Sequence, residues 1–304
     1  LTSLGRLPAP PYDAAMIDPT LAREVSLPSG EPRPALGLGT WRMGEQASRR
    51  QAEAGAVRLA LEMGWRVFDT AEMYGDGGAE QVLGQALADA QRAGLPRGEV
   101  FVVSKVLPHH ADHDGVLAAC EASLRRLQLD SIDLYLLHWR GGVPLAETVR
   151  AFELLQRRGW IRHWGVSNFD LDDMRELFTV PGGKACASNQ LYFSLGERGV
   201  EFDLLPWLQL HQMPLMAYSP LDQGALVDHP ALRAIAARYT ATPAQVALAW
   251  LLRLPGVMVI PKAANAVHLR HNWEAQQLRL DEQDLAAIDA AFPPPQRRRA
   301  LATR

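Results

Sequence analysis

The stretch Gly37-Leu38-Gly39-Thr40-Trp41-Arg42 decides between two folds. Around it, short apolar runs alternate with longer segments of helical spacing. That alternation fits either an open doubly wound sheet or a closed barrel. A doubly wound dinucleotide-binding sheet opens with Gly-x-Gly-x-x-Gly between its first strand and helix, where the third glycine lets helix and strand pack closely. Gly37 and Gly39 begin that pattern, but Thr40-Trp41-Arg42 follows and no helix starts there. The expectation is therefore an α/β chain folded as a (β/α)8 TIM barrel.

Eight apolar runs read as buried strands: 35–38, 66–68, 100–104, 132–137, 161–166, 185–189, 215–218 and 257–260. Helical spacing fills 49–63, 79–93, 116–127, 145–158, 171–178, 202–210 and 243–254. Ser48 stands where a side-chain cap of the first helix belongs, and Thr242-Pro243 reads as a cap followed by proline at the first helical position. Gly64, Gly94 and Gly159 follow helical runs, where a left-handed residue is favoured.

The 304 residues are expected to form one barrel domain over 35–304, preceded by an N-terminal extension, 1–34, that carries a candidate capping hairpin. A net charge of −3 gives no field suited to nucleic acid or an anionic membrane. No apolar run is long enough to span a bilayer. The 1–34 segment lacks the basic-then-apolar pattern of a signal peptide, so the reading is a cytoplasmic monomer, with an export signal ahead of Leu1 left open. Cys120 and Cys186 read as buried, inert thiols rather than a disulfide framework, and no metal site is read. The basic tail 296–304 is expected to be a solvated end.

A barrel carries its chemistry at the C-terminal ends of its strands, and reactive side chains gather there. Asp69 ends the second run and Tyr74 comes shortly after it. Lys105 ends the third and His138 the fourth. Ser167-Asn168, Asn189-Gln190, Tyr218-Ser219 and Lys262 end or follow the last four. Each residue alone has an ordinary reading as a turn, packing or solvated residue; the joint placement is the signal. A carbonyl that accepts hydride develops negative charge on oxygen and must be protonated. A tyrosine hydroxyl can donate that proton if a lysine cation lowers its pKa. An aspartate keeps the lysine charged, and a neutral histidine orients the carbonyl. Tyr74, Lys105, Asp69 and His138 form that set.

Phe68-Asp69-Thr70-Ala71-Glu72-Met73-Tyr74-Gly75, Ser104-Lys105 and Leu136-Leu137-His138-Trp139 resemble the motifs of the aldo-keto reductases in order and spacing. Gly165-Val166-Ser167-Asn168-Phe169, Asn189-Gln190, Ala217-Tyr218-Ser219-Pro220-Leu221 and Ile260-Pro261-Lys262 continue the resemblance. Within the family, His138-Trp139-Arg140-Gly141-Gly142, Leu205-Pro206-Trp207 and Lys262-Ala263-Ala264 are most similar to short-loop bacterial reductases of the methylglyoxal reductase kind. The resemblance implies NADP(H)-dependent reduction of a small aldehyde or ketone, with Tyr74 as proton donor. It implies that Ser167, Asn168 and Gln190 hold the nicotinamide carboxamide, that Tyr218 stacks on the ring, and that Ser219 and Leu221 lie beside the pyrophosphate. Thr40 and Trp41 are also expected to contact the cofactor.

The resemblance departs from the NADP-preferring pattern after Lys262. The hydroxyl residue expected next is Ala263, and the arginine expected six residues on is His268; Arg270 lies two further, and Asn272 keeps the closing asparagine. The 2′-phosphate falls to Lys262 with Asn265 and His268, or with Arg270. A neutral histidine grips phosphate less well than an arginine fork. NADPH is therefore expected to be preferred over a usable NADH by a narrowed margin. Trp41, Trp139, Met73 and Trp207 are the expected pocket walls, and the short 140–144 connection leaves little chain to cap the mouth. Two rival readings share the scaffold: a lyase using Lys105 as a Schiff-base nucleophile, and a non-catalytic, cofactor-binding regulator.

Overall fold

The computed structural model describes residues 23–304. Eight parallel strands form the central sheet: β3 (Leu38–Gly39), β4 (Val67–Asp69), β5 (Phe101–Val106), β6 (Ile132–Leu137), β7 (Ile161–Ser167), β8 (Asn189–Tyr192), β9 (Leu215–Tyr218) and β10 (Val257–Val259). They pair in chain order. Parallel bridges from Leu36 to Val259 and from Gly39 to Lys262 join the first strand to the last and close the barrel. Between the strands lie α1 (Arg50–Glu62), α2 (Gly78–Arg92), α3 (His113–Leu127), α4 (Leu145–Arg157), α5 (Leu171–Thr179) and α6 (Leu204–Leu210). Next come the pair α7 (Pro230–Arg238) and α8 (Pro243–Leu252), then α9 (Ala266–Glu274) and α10 (Glu282–Ala291) after the last strand.

The strands are legible as apolar runs because helices cover one face and the barrel interior the other. Every residue of β5 and β6 is buried. Trp164 on β7 stacks on Phe152 of α4 at 5.4 Å between ring centres, and Phe152 meets Tyr135 of β6 edge-on at 6.0 Å. Thr242 caps α8 with a capping box, as its position before Pro243 suggests. Ser48 makes no cap: it lies inside a 3-10 turn, Ala47–Arg49, that leads into α1. The sixth strand begins four residues later than expected. Ala185 belongs to a short 3-10 turn, Gly183–Ala185, so the buried Cys186 and Ala187 lead into the strand rather than form it. Both cysteines are buried, and burial pushes their thiols up to about 12.

A hairpin, β1 (Glu24–Ser26) with β2 (Pro32–Pro34), precedes the barrel. Its turn places Glu31 against Arg162 (2.7 Å) and His163 (3.0 Å) on β7, and Arg33 lies over the Phe101 ring at 4.8 Å. These partners lie at or next to the first residues of β5 and β7, so the hairpin covers the N-terminal end of the barrel. The remainder of the expected extension, 1–22, lies outside the described residues. Among the described residues no helix is long and apolar enough to cross a membrane.

Candidate active site

Parallel register brings the strand ends to one rim. Gly39 pairs with Asp69, Val106 with Leu137, Ser167 with Gln190, and Tyr192 with Tyr218. Above this rim opens a cavity of about 690 Å³. Lys105, fully buried on β5, touches two of its lining residues, Asp69 and Tyr74. Its Nζ lies 2.8 Å from each oxygen of Asp69, 2.8 Å from the Thr70 carbonyl and 3.2 Å from the Tyr74 hydroxyl oxygen. A lysine donating to the phenol oxygen leaves the phenol hydrogen to be directed elsewhere, and Tyr74 lines the cavity.

The electrostatics of this cluster differ from the simple expectation. Desolvation, aided by the Asp69 charge, pushes the Tyr74 hydroxyl well above its ordinary range; the neighbouring cation does not pull it below. Desolvation lowers Lys105, while Asp69 works against that. His138 follows β6 and meets the Tyr74 ring edge-on at 5.8 Å. Burial, then the Lys105 charge, hold its imidazole at about 2, so the ring is neutral. Its Nδ1 is buried without a partner. An orphaned buried acceptor is less costly than an orphaned N–H donor, which favours the tautomer with the proton on Nε2.

A hydrogen-bonded relay runs along the rim from β9 to β6. Tyr218 donates to Asn168 Oδ1 (2.9 Å), Asn168 Nδ2 donates to the His138 carbonyl (3.1 Å) and to Ser167 Oγ (3.2 Å), and Ser167 donates to the Gln190 carbonyl (2.9 Å). Gln190 gives an amide hydrogen to Asp69 (2.8 Å). Several rim residues hold positive φ: Arg42 (64°), Asn168 (58°), Ser219 (49°) and Gln223 (56°). Non-glycine residues held there carry strain that tends to collect at functional sites.

Barrels frequently hold phosphate with the loops after their last two strands and the start of an extra helix. Here the loop after β9 puts Ser219, Leu221 and Gln223 on the cavity wall, and α9 follows β10 directly with His268 and Asn272 on the wall. Desolvation, with Arg49 and Arg42 close by, pulls the Lys262 ammonium below its ordinary value against the opposing Glu53.

Most of the expected site residues meet on this wall: Trp41, Asp69, Tyr74, His138, Ser167, Asn168, Gln190, Tyr218, Ser219, Leu221, Lys262, His268 and Asn272. Four expectations need correction. Thr40 is fully buried off the wall, its hydroxyl bound to the Asp69 carbonyl at 2.9 Å. Asn265 is also off the wall: it caps α9, accepting from the His268 amide (2.9 Å) and meeting the His268 ring Nδ1 (3.0 Å). Trp139 packs on the His138 ring at 4.9 Å and does not line the cavity. Trp207 stacks on His211 at 4.0 Å on α6, away from it. Met73 does line it. Sequence reading passed over Arg42, whose guanidinium stacks on Trp41 at 4.5 Å, and also His271 and Arg304. Arg42 adjoins a recognised residue and so had a signal; Arg304 had none.

Comparison with known proteins agrees with this geometry. The chain is 50% identical over 273 residues to methylglyoxal reductase YeaE of Escherichia coli K12, covering 88% of this chain and 94% of that protein. It is 33% identical over 262 residues to methylglyoxal reductase DkgB of E. coli O157:H7, covering 84% and 92%. Among solved structures, an aldo-keto reductase from Klebsiella pneumoniae in complex with NADPH superposes with a TM-score of 0.89 at 47% identity, covering 93% of this chain and 99% of that one. The profile of the aldo/keto reductase family matches residues 35–292, the whole barrel, and the chain belongs to that family.

Proposed function

We propose that this protein reduces small aldehydes and ketones with NADPH, Tyr74 acting as general acid. The observation that carries the reading is the four-way contact of Lys105 with Asp69, Thr70 and Tyr74 beside a cavity walled by amide, hydroxyl and cationic groups. That wall fits the cofactor. Ser167, Asn168 and Gln190 offer the donors and acceptors a carboxamide needs, Tyr218 offers a flat face, and Lys262 with His268 at the start of α9 suits a phosphate. When bound, NADPH supplies the hydride. His138 Nε2–H donates to the substrate carbonyl and fixes its direction. Tyr74 releases its proton to the developing alkoxide, and Lys105 stabilises the phenolate left behind. Asp69 holds Lys105, and Gln190 in turn holds Asp69 through an amide hydrogen bond.

The contacts of Lys105 also weigh against a Schiff-base lyase. All its donor capacity is committed to carboxylate, carbonyl and phenol oxygens, and Asp69 favours the charged form over the nucleophilic amine. The substrate is a small reactive aldehyde, methylglyoxal or a substituted benzaldehyde being among the better ones. The support is the short 140–144 loop, the Trp41 and Met73 walls, and the likeness to the methylglyoxal reductases. A panel of aldehydes, ketones and sugars tests this. kcat/KM should favour these aldehydes over aldoses by at least about tenfold, roughly 1.4 kcal/mol of transition-state binding. A clear preference for open-chain sugars or steroids would refute the substrate assignment.

For the cofactor, NADPH should outperform NADH, by a margin narrowed because His268 stands where an arginine fork would grip. Lys262→Met should remove most of the preference, about ten- to a hundredfold in relative kcat/KM, the worth of one charge-assisted bond. The loss should fall on NADPH rather than appear as a gain with NADH. His268→Arg should widen the preference. A wild type that uses NADH better than NADPH would contradict the account of this loop.

A further inference from the structure

We propose that Arg304 is a specificity-determining residue that favours carbonyl substrates bearing a carboxylate; the inference rests on the carbonyl-reductase reading and narrows its substrate class. The 296–304 tail is not the solvated end its basic composition suggests. Arg298 straps it to the rim, with Nη2 2.8 Å from Asp172, Nε 3.3 Å from Asp203, and Asp170 at 3.8 Å. Beyond the strap, Leu301 and Ala302 are half-buried, and Arg304 arrives on the wall of the cavity that Tyr74 and His138 line.

Two contacts hold Arg304 there. Its backbone N–H donates to the Tyr218 hydroxyl at 3.1 Å, which joins it to the relay through Asn168 to the His138 carbonyl. Its guanidinium lies over the Tyr192 ring, 4.9 Å from the centre. Stacking on an aromatic face orients a guanidinium but uses none of its N–H groups, so its edge stays able to fork onto a carboxylate. Two carboxylates of the site are committed elsewhere. Asp222 accepts from Tyr192 (2.5 Å) and Ser194 (2.7 Å), and Asp69 holds Lys105 and Gln190. Among the described residues the Arg304 guanidinium makes no ion pair. The cavity cations are spread apart: Lys262 lies at the β10–α9 end, where phosphate fits, Arg42 lies over Trp41, and Arg304 lies beside Tyr218 and Tyr192.

The test is a matched pair of substrates, 4-carboxybenzaldehyde and its neutral methyl ester, methyl 4-formylbenzoate. They are assayed with NADPH on the wild type, Arg304→Met and Arg304→Lys. The wild type should favour the acid, and added salt should erode that advantage. Arg304→Met should lower the acid-to-ester ratio of kcat/KM by about tenfold, through KM of the acid rather than kcat. Arg304→Lys should restore part of it. An unchanged ratio in Arg304→Met overturns the proposal, as does an equal fall for both substrates, which would make the tail a mere wall. If the ester is reduced normally while the ratio is insensitive to residue 304, the reductase reading stands and only this assignment fails. If the wild type reduces neither compound, both fall.

Discussion

Tyr74→Phe should lower kcat for aldehyde reduction on the order of 10²–10⁴-fold or more, while NADPH still binds. The substitution removes one hydroxyl and almost no volume. The Tyr74 oxygen receives a hydrogen bond from Lys105 at 3.2 Å, and Lys105 keeps both Asp69 oxygens and the Thr70 carbonyl without it. The fold should therefore persist, and thermal unfolding should shift little. Because the interaction lost is one made in the transition state, kcat and kcat/KM should fall together. Steady-state kinetics with cofactor titration by fluorescence checks both halves. A variant with wild-type kcat would remove Tyr74 from the chemistry.

Lys105→Met should bring a comparable collapse, at least about 10²-fold, for a different reason. The proton donor remains, but the cation that stabilises the phenolate is gone. The pH profile separates the two cases. In the wild type, His138 stays neutral down to about 2 and Tyr74 stays protonated well above its ordinary range. Reduction should then be flat across neutral pH and fall only on the alkaline side, as the coupled Tyr74–Lys105 pair loses a proton. In Lys105→Met the alkaline fall should move to higher pH, because the phenol has lost the charge that favoured ionisation. Removing Lys105 also leaves the buried Asp69 carboxylate uncompensated, a loss of about 3–5 kcal/mol for a buried pair broken from one side. Unfolding must be measured beside activity. Lys105→Arg should fail as well, since a planar fork cannot reproduce one compact charge shared among four contacts.

The side chains that meet at the cavity were legible because a barrel turns chain order into spatial order. Asp69, Lys105 and His138 end consecutive apolar runs, and parallel register delivers consecutive strand ends to one rim. Strands β6 and β9 coincide with the apolar runs 132–137 and 215–218, since both are bounded on either side by polar or turn residues. What stayed hidden depends on contacts between segments far apart in the chain. The tail looked solvated because nothing local to 296–304 reveals that Asp170, Asp172 and Asp203 converge on Arg298. Asn265 looked like a phosphate ligand, yet its short amide is used up as the cap of α9. Trp139 and Trp207 fit a pocket wall by residue type, but side-chain direction sends one onto His138 and the other onto His211. Helix α10 did carry a local signal, the Asp281 and Asp284 capping box.

The most direct test of the central claim follows a labelled hydride. The wild-type protein is incubated with a small aldehyde and NADPH carrying deuterium at the transferable position, and the product is examined by mass spectrometry and NMR. One alcohol should form for each NADPH oxidised, with the deuterium on the carbinol carbon, and turnover should be lost in Tyr74→Phe. NADPH that binds tightly without being oxidised by any aldehyde would contradict that claim, as would a carbonyl substrate trapped by borohydride on Lys105.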